Sequence, residues 1–357
     1  MIVAVVGGGA VGTFLGATLA AAGDDVVLLR RSSPADLRRE SITIEGPGDQ
    51  SRTADLAIAA TSEALSAPPD VVILAVKMPD LPGAIETAAI WRHAPVLAVG
   101  NGVGADDMLL RARTSGIIAG SLTAAVMLDR PSGMVHRRSG GGIGLALVRE
   151  FDVARVEVVR GDTSGGSVHG VVEQLARSFE AGGLRVRRLR DPAAMRWSKL
   201  VSNLLGNATS AILDIEPGDV YRDPILFRFE LRQVREALAV MRGLGLRPVP
   251  LPGADVRPLA LATRLPSILV RPVMQRVVGG ARGGKSPSLR LHLQNGDGPS
   301  EIEWLNGAVA RAAVLLGMRA PVNARLAELV DECSRDRQRR DWFRGHPDRL
   351  IAELSMA

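Results

Sequence analysis

Residues 2–12 read IVAVVGGGAVG. The five apolar residues predict a buried strand, and the glycines that follow form the pattern G-x-G-x-x-G where a helix begins. An Ala- and Leu-rich helix extends to Ala22, Gly23 ends it, and residues 26–29 predict the next strand. The stretch therefore predicts a strand-helix-strand unit of a doubly wound α/β sheet.

The rest of the first half continues this pattern. Short apolar runs at residues 71–76 and 95–99 each end in a polar or glycine-rich loop, as parallel strands of such a sheet do. We therefore predict an N-terminal Rossmann-type domain, a doubly wound parallel sheet with helices, over residues 1–190. Asp191-Pro192 marks the predicted domain boundary.

The second half, residues 191–357, predicts a mainly α-helical domain. Apolar periodicity indicates helices at about residues 193–212, 223–244, 301–317 and 322–334. Residues 246–285 are rich in proline and glycine, which predicts an irregular connection with one short helix near 259–276. The charged tail, residues 335–357, fits either a solvated terminal helix or an anion-binding arm.

Composition narrows the class of protein. The chain has 357 residues, of which 46% are apolar and 23% charged, so it can bury the cores of two domains and is not disordered. The net charge of +6 favours small anionic partners over nucleic acid. Cys333 is the single cysteine, so we expect a cytoplasmic chain. The histidines lack ligand spacing and predict no metal site, and no run predicts a membrane segment.

The glycine pattern predicts a dinucleotide site. Gly7 allows a tight turn, Gly9 lets the backbone approach a pyrophosphate, and Gly12 permits close packing of the helix, whose N-terminus favours phosphate. A glycine-rich turn without a ligand is the alternative. The predicted contacts are Gly7, Gly8, Gly9, Ala10, Val11 and Gly12.

The residues after the second strand indicate which dinucleotide binds. An acid there selects NAD through the ribose hydroxyls, whereas a basic residue accepts the 2′-phosphate of NADP. Here Arg30 and Arg31 follow Leu29, and no acid stands beside them. We predict NADP(H), with Arg31 as the chief contact and Arg30 as a second; ordinary surface charge is the alternative.

Lys199, Asn203 and Asn207 are spaced i, i+4 and i+8 in a predicted helix, so they share one face. The residues between them are mostly leucine, valine and alanine. A narrow polar line on an apolar helix indicates the wall of a cleft, with an internal hydrogen-bond ladder as the alternative. Glu301 opens a later helix, where the helix dipole alone already favours an acid.

These features together resemble one family, the 2-dehydropantoate 2-reductases, also called ketopantoate reductases. The resemblance extends over most of the chain and rests on several separate motifs. They are the N-terminal GGGAVG, Lys77 after the strand at 71–76, the Asn101-Gly102-Val103-Gly104 loop, Arg196-Trp197-Ser198-Lys199 with Asn203 and Asn207, Ser288, the EIEWLNG segment from Glu301, and Pro321-Val322-Asn323.

The resemblance implies an activity and a set of roles. The chain would reduce 2-dehydropantoate, a 2-oxo acid, to pantoate with NADPH in pantothenate and coenzyme A synthesis, as a homodimer whose site lies between the domains. Lys199 would be the general acid, and Glu301 a catalytic residue that also contacts the cofactor. Asn101 and Lys77 would lie near the nicotinamide, and Asn101, Lys199, Asn203, Asn207 and Ser288 would hold the substrate.

Two positions depart from the family pattern. An asparagine expected ten residues after Asn207 is Pro217, and an acid expected four residues after Ser288 is His292. Both departures concern the substrate rather than the cofactor or the proton donor. Reduction of another 2-oxo acid or ketone on the same fold therefore stays open, as does a non-catalytic NADPH-binding sensor.

Overall fold

A computed structural model describes residues 1–33, 36–46, 51–65, 67–112, 116–129, 132–149, 167–281, 287–296 and 299–356. Contacts between Cα atoms divide the chain into two units. Unit 1 comprises Met1–Gly100, Gly104–Met195 and Leu251–Gly253, and unit 2 comprises Asn101–Val103, Arg196–Pro250 and Ala254–Ala357. Within the described residues, no helix combines the length and the apolar character needed to cross a membrane.

Unit 1 contains a mixed sheet and helices. Its strands are β1 Ile2–Val6, β2 Asp25–Leu29, β3 Arg38–Glu45, β4 Ser51–Ala59, β5 Val71–Leu74, β6 Val96–Ala98, β7 Ile117–Leu122, β8 Val126–Asp129, β9 Met134–Arg137, β10 Gly142–Arg149 and β11 Arg185–Leu189. Its helices are α1 Ala10–Ala21, α2 Leu81–Ala88, α3 Ala105–Ala112 and α4 Val168–Ala181.

The order of the strands defines the fold of unit 1. The sheet runs β11-β10-β7-β6-β5-β1-β2-β4-β3-β9-β8. From β4 to β7 the strands are parallel, in the order 3-2-1-4-5-6 of a dinucleotide-binding sheet. Val3, for example, pairs with Val26 on one side and Val71 on the other. The predicted Rossmann-type, doubly wound fold is therefore confirmed.

Strands β3 and β4 were not expected from the sequence. They pair as an antiparallel hairpin, and only the buried half of each strand is apolar. In β3, Ile42 and Ile44 are buried between exposed polar and charged residues. The strand lies near the edge of the sheet and has few core positions, so its alternation of apolar and polar residues is short. Such a short alternation cannot be distinguished from a polar loop in the sequence.

The rest of the chain is mainly helical, which confirms the predicted class of its second half. Its helices are α5 Pro192–Leu204, α6 Asn207–Leu213, α7 Pro217–Arg222, α8 Pro224–Gly243, α9 Arg257–Ala262, α10 Ser267–Ala281, α11 Ser288–Asn295, α12 Asn306–Leu315, α13 Pro321–Arg335, α14 Arg337–Phe343 and α15 Pro347–Ser355. Two short strands, β12 Pro250–Leu251 and β13 Ala254–Asp255, and a 3₁₀ turn, Glu301–Trp304, complete the list.

The irregular connection predicted for residues 246–285 is wrong over most of its described part, although the one helix predicted near 259–276 overlaps two observed helices. This segment forms β12, β13 and two helices, α9 and α10, while residues 282–286 lie outside the described residues. Pro272 lies inside α10 and hides the helical pattern, although Val270 and Met274 are buried one turn apart. Packing of that buried face outweighs the hydrogen bond that proline removes.

The charged tail is helical, as the first alternative predicted, but one face of it is buried rather than solvated. It forms α14 and α15, whose Phe343, Leu350 and Leu354 are fully buried in an apolar core of unit 2. Glu353 accepts from both Arg325 and Arg339, at 2.8 and 2.6 Å. The charges that suggested solvation therefore form ion pairs around a buried apolar face.

The helix predicted for residues 193–212 is interrupted between α5 and α6. Gly206 lies there with φ +59°, a conformation that favours glycine. Lys199 and Asn203 therefore share the face of α5, but Asn207 begins a new helix and does not continue that line. The buried carboxylate of Glu230 on α8 accepts from the N–H of Gly206 at 2.7 Å. The Thr209 and Tyr221 hydroxyls donate to the same carboxylate, at 2.6 and 3.2 Å.

Burial raises the pKa of Glu230, although the hydrogen bonds from Thr209, Gly206, Tyr221 and Gln233 act in the opposite direction. A raised native pKa means that the folded state binds the proton more tightly than the unfolded state. We expect its contribution to the free energy of unfolding to be full below the unfolded pKa, about 4.3, and to fall as pH rises through the native pKa. Glu230→Gln should therefore remove part of the decline in the free energy of unfolding that we expect above about pH 4 in urea unfolding.

Two further variants separate the charge from the hydrogen bonds. Glu230→Ala leaves buried donors without an acceptor and should cost about 1–3 kcal/mol at every pH. Glu63→Gln, at an exposed acid, should leave the pH profile unchanged. Parallel wild-type and Glu230→Gln profiles would mean that the buried carboxylate titrates like an exposed one.

Candidate active site

The glycine loop of unit 1 connects β1 to α1 and leaves no room for a side chain at two of its glycines. Gly7 has φ +118°, and a Cβ there would lie 2.6 Å from the carbonyl oxygen of Ala75. A Cβ on Gly12 would lie 1.8 Å from the carbonyl oxygen of Gly7. Glycine is therefore required at both positions to bring the helix against the end of the strand.

Gly9 differs from these two glycines because the space beyond it is open. A Cβ there would have no described heavy atom within 4 Å, and its backbone is extended, with φ −83° and ψ −175°. No described side chain caps α1 at Gly9, so the first N–H groups of this helix are available to a ligand. The open space and the helix N-terminus fit the pyrophosphate of a dinucleotide.

The two arginines after β2 have different surroundings. Arg31 has 91% of its side chain exposed and lies 3.3 Å from the carboxylate of Asp80. Arg30 is mostly covered: its aliphatic stem lies over Gly8, its Nε donates to Ser33 at 2.8 Å, and its guanidinium pairs with Glu40. Arg31 can therefore turn toward an incoming phosphate, whereas Arg30 is held in place.

Glu40 is a residue that sequence reasoning missed. It belongs to β3, which pairs with β4, and the carbonyl oxygen of Ala59 in β4 accepts the N–H of Arg30. The acid that pairs with Arg30 thus comes from β3, which lies beyond β4 in the sheet, rather than from the residue after Leu29. Because the β3–β4 hairpin was not predicted, no sequence pattern indicated that this acid would lie beside Arg30.

Lys77 lies at the same edge of the sheet as these arginines. Its side chain is exposed, and it lies three residues after the end of β5. Its carbonyl oxygen accepts the N–H of Asp80 in a 3₁₀ turn. The carboxyl ends of β1, β2 and β5 lie side by side, because the three strands are parallel neighbours. The structure therefore brings Lys77, Arg31 and the glycine loop to one edge of unit 1.

In unit 2, Asn101 and Asn203 meet. The Asn203 amide donates to the Asn101 side-chain oxygen at 3.4 Å, and Lys199 lies one turn earlier on α5. All three side chains are partly exposed. The structure therefore places an ammonium and two amides together, a set that can donate hydrogen bonds to a carbonyl and a carboxylate.

The loop that carries Asn101 is fastened to the 3₁₀ turn that carries Glu301. The N–H of Val103 donates to the carbonyl oxygen of Trp304 at 3.0 Å, and Gly102, with φ +86°, passes so close that a Cβ would lie 2.3 Å from the same oxygen. Glu301 is partly exposed. The predicted site residues Asn101, Asn203 and Glu301 thus belong to connected segments of unit 2.

Asn207 has a structural contact that its predicted role did not include. It is buried, and its side-chain oxygen accepts the N–H of Leu289 at 3.3 Å, next to the exposed Ser288. Asn207 therefore joins α6 to α11 at the turn where Ser288 begins the helix.

Asp214 holds α11 at a second point. It is the left-handed residue after α6, with φ +53°, and it accepts from Arg290 at 2.8 Å and Gln294 at 2.7 Å. Burial alone would raise the pKa of Asp214, but the bonds from Arg290, Gln294 and Arg344 hold it below its usual range. The position of Ser288 is therefore set by polar contacts at both ends of α6.

The motif asparagines of α12 and α13 form an internal network instead of a ligand site. Asn306 donates to Gln233 at 2.9 Å and to Asn323 at 3.0 Å. Glu236 accepts from the Asn323 amide and from the N–H groups that begin α13, at 2.8 to 3.2 Å. Burial raises the pKa of Glu236. These motifs are explained by packing of α8, α12 and α13.

The two departures from the family pattern are buried. Pro217 begins α7 and lies against the helix interruption, since a Cβ on Gly206 would be 3.1 Å from it. His292 lies one turn after Ser288 on α11 with 7% of its surface exposed. Among the described residues, no group of three or more His, Cys, Asp or Glu side chains is placed to hold a metal ion.

The strand order and the glycine loop of unit 1 define the class of protein, a chain with a Rossmann-type dinucleotide-binding fold. Comparison with known sequences narrows the class. The sequence model described as "Ketopantoate reductase PanE/ApbA" matches residues 3–147, and its C-terminal counterpart matches residues 191–334. The chain belongs to the ketopantoate reductase family.

Individual relatives agree with this assignment. A 2-dehydropantoate 2-reductase of Pyrococcus horikoshii is 24% identical over 335 residues, which cover 92% of this chain and 96% of the relative. A PanE/ApbA family ketopantoate reductase from Ralstonia eutropha JMP134 is 25% identical, with a TM-score of 0.72 over 95% of this chain and all of that one. A D-mandelate dehydrogenase solved with NADH and anilino(oxo)acetate shares the fold, at 20% identity and TM-score 0.72 over 94% and 98% of the two chains.

Gly9 and Gly12 allow a matched test of the glycine loop. Gly9→Ala places a methyl group in open space, so we expect an unchanged melting temperature but at least tenfold weaker binding of NADP⁺ by calorimetry. Gly12→Ala forces the methyl group into the backbone of Gly7, so we expect a lower melting temperature or failure to fold. Equal NADP⁺ affinity in wild type and Gly9→Ala would show that the pyrophosphate does not bind at this loop.

Proposed function

We propose that the chain reduces a 2-oxo acid to a 2-hydroxy acid with NADPH, and that 2-dehydropantoate is the substrate, with pantoate as the product. The contact between Asn101 and Asn203 one turn from Lys199 is the main support, because it places amide donors beside an ammonium. The family and its curated relatives support the same reaction. The place in pantothenate synthesis, the homodimer and the cytoplasmic location stay predictions.

The roles of the side chains follow from their chemistry. Lys199, as an ammonium, donates a hydrogen bond to the ketone oxygen and then transfers a proton to the alkoxide as it forms. This cation stabilises the transition state more than the ground state, because negative charge grows on that oxygen during the reaction. Asn203 and Asn101 orient the substrate through their amides, and Ser288, at the start of α11, offers a hydroxyl.

NADPH, when bound, supplies the hydride that the ketone carbon accepts. The open space at Gly9 and the N-terminus of α1 would receive its pyrophosphate. Arg31 would bind the 2′-phosphate, because its exposed ion pair with Asp80 costs little to exchange. Lys77, at the same sheet edge, would lie toward the nicotinamide end, as Glu301 and Asn101 would in unit 2.

A second substrate on the same fold is favoured by two particular residues. Pro217 replaces an expected amide with a side chain that packs against Gly206, and His292 replaces an expected acid. A 2-oxo acid other than 2-dehydropantoate would need neither of these groups. A turnover assay distinguishes 2-dehydropantoate from another 2-oxo acid as the substrate. It compares 2-dehydropantoate with a panel of other 2-oxo acids by NADPH absorbance, with NADH in parallel. If no 2-oxo acid reacts, the reductase proposal is wrong.

Lys199 can be tested with two substitutions. Lys199→Ala removes the proton donor, so kcat should fall about 10²- to 10⁴-fold while the affinity for NADPH stays within twofold. Lys199→Arg keeps the positive charge but cannot release a proton at workable pH, so it should bind substrate and still turn over slowly. Wild-type kcat in either variant would show that another group donates the proton.

Arg31 can be tested through the preference between cofactors. Arg31→Ala should raise KM for NADPH about 10- to 100-fold, the value of a charge-assisted hydrogen bond, and leave KM for NADH unchanged. Asp80→Asn is the matched control, because it removes the ion-pair partner but keeps the guanidinium, so KM for NADPH should not rise. An unchanged NADPH preference in Arg31→Ala would place the 2′-phosphate elsewhere.

A further inference from the structure

Unit 2 contains a cavity that is separate in sequence from the residues assigned to catalysis. It has a volume of about 400 Å³ and lies among the end of α8, the loop that follows, and α9. Small-molecule sites commonly span about 300–1,000 Å³. The cavity is thus large enough for a ligand of metabolite size.

The lining of this cavity has an unusual composition. Four arginines, Arg242, Arg247, Arg257 and Arg264, contribute to it, and the other lining residues are apolar, Leu238 among them. No acidic residue is among the described residues that line it. A cluster of cations over an apolar floor matches a ligand that carries an anionic group on an apolar body.

Most of this positive charge lacks an internal counter-ion. Arg257 is bonded to both carboxylate oxygens of Asp255. Arg242, Arg247 and Arg264 have no carboxylate partner within the part of the chain that the structure describes. Because arginine stays charged at workable pH, these guanidinium groups are available to bond to an anion that enters the cavity.

Ordinary structural roles do not account for the whole cluster. Arg242 lies in the last turn of α8, where a cation favours the helix dipole. Arg247 lies in the following loop, and Arg264 lies beyond the end of α9. The helix dipole therefore explains one of the three arginines and leaves their convergence on one apolar floor unexplained.

The cavity wall is fastened to the helix that carries Lys199. The N–H of Val249, next to the lining residue Pro248, donates to the Ser198 hydroxyl at 2.8 Å. Leu238 packs in the same apolar core as Trp197 and Leu200 of α5. The floor is therefore a packed part of unit 2, which gives the cavity a fixed shape.

We propose that this cavity binds a small amphipathic anion, a phosphate or carboxylate group on an apolar chain. The arginines bind the anionic group through charge-assisted hydrogen bonds, and the apolar floor receives the chain. The proposal does not depend on the proposed reductase activity, because the site uses none of the residues assigned to it.

Calorimetric titration with octyl phosphate tests the site, with saturating NADP⁺ present so that the dinucleotide site is occupied. We expect binding at least tenfold tighter than that of octanol, which lacks the charge, and of inorganic phosphate, which lacks the chain. Octanoate in a parallel titration tells whether phosphate or carboxylate is preferred. Failure of octyl phosphate and octanoate to bind, or binding no tighter than that of octanol, would overturn the proposal.

Two double variants locate the binding. Arg247→Ala with Arg264→Ala should weaken octyl phosphate at least tenfold without changing the melting temperature. Arg335→Ala with Arg337→Ala removes the same charge at exposed positions and should have no effect. Equal weakening by both pairs would indicate non-specific attraction.

Light scattering provides a further check on the same variants. The wild type and the Arg247→Ala, Arg264→Ala double variant should have the same mass in solution. A change from dimer to monomer in this variant, without ligand binding to the wild type, would show that a second copy covers the cavity and would overturn the proposal.

Discussion

The helical unit depends on one buried carboxylate. Where α5 ends and α6 begins, the helix interruption leaves the N–H of Gly206 buried, and Glu230 accepts it. An N–H left without an acceptor there would cost free energy comparable to a lost hydrogen bond. Because the chain turns at this point, Asn203 stays with Lys199 on α5, whereas Asn207 turns to α11 and bonds next to Ser288.

A second buried acid on α8 also accepts backbone N–H groups at the end of a helix. Glu236 accepts the N–H groups that begin α13, and Asn323, Gln233 and Asn306 complete a network in which each buried amide has a partner. Buried polar networks specify a unique arrangement only when their members are satisfied. The asparagines of the EIEWLNG and PVN motifs are thus explained by the packing of three helices. Of the acids in these motifs, Glu301 remains the candidate for a catalytic role.

The features of the fold and site that could be predicted from the sequence are those whose interacting residues lie close together along the chain. The glycine loop was predicted in detail, because Gly7 and Gly12 constrain each other within five residues. The α5–α6 interruption was missed, because the acid that stabilises it lies 24 residues away in sequence. Asn101 and Asn203, 102 residues apart, were assigned to one site only by the family resemblance, and their direct contact was not predicted. Strand β3 and the helices α9 and α10 were hidden by charge and proline.

The two arginines near the glycine loop are adjacent in the sequence but have different surroundings in the fold. Arg30 and Arg31 are neighbours with the same charge, yet Arg30 is 22% exposed and bonded to Ser33 and Glu40, whereas Arg31 is 91% exposed and pairs only with the exposed carboxylate of Asp80 among the described residues. An exposed ion pair contributes about 0–1 kcal/mol, so Arg31 can exchange Asp80 for a phosphate dianion at small cost. Moving Arg30 would also uncover Gly8 and leave Glu40 without its partner. The physical division is therefore that Arg30 shapes the loop and Arg31 is available to a ligand.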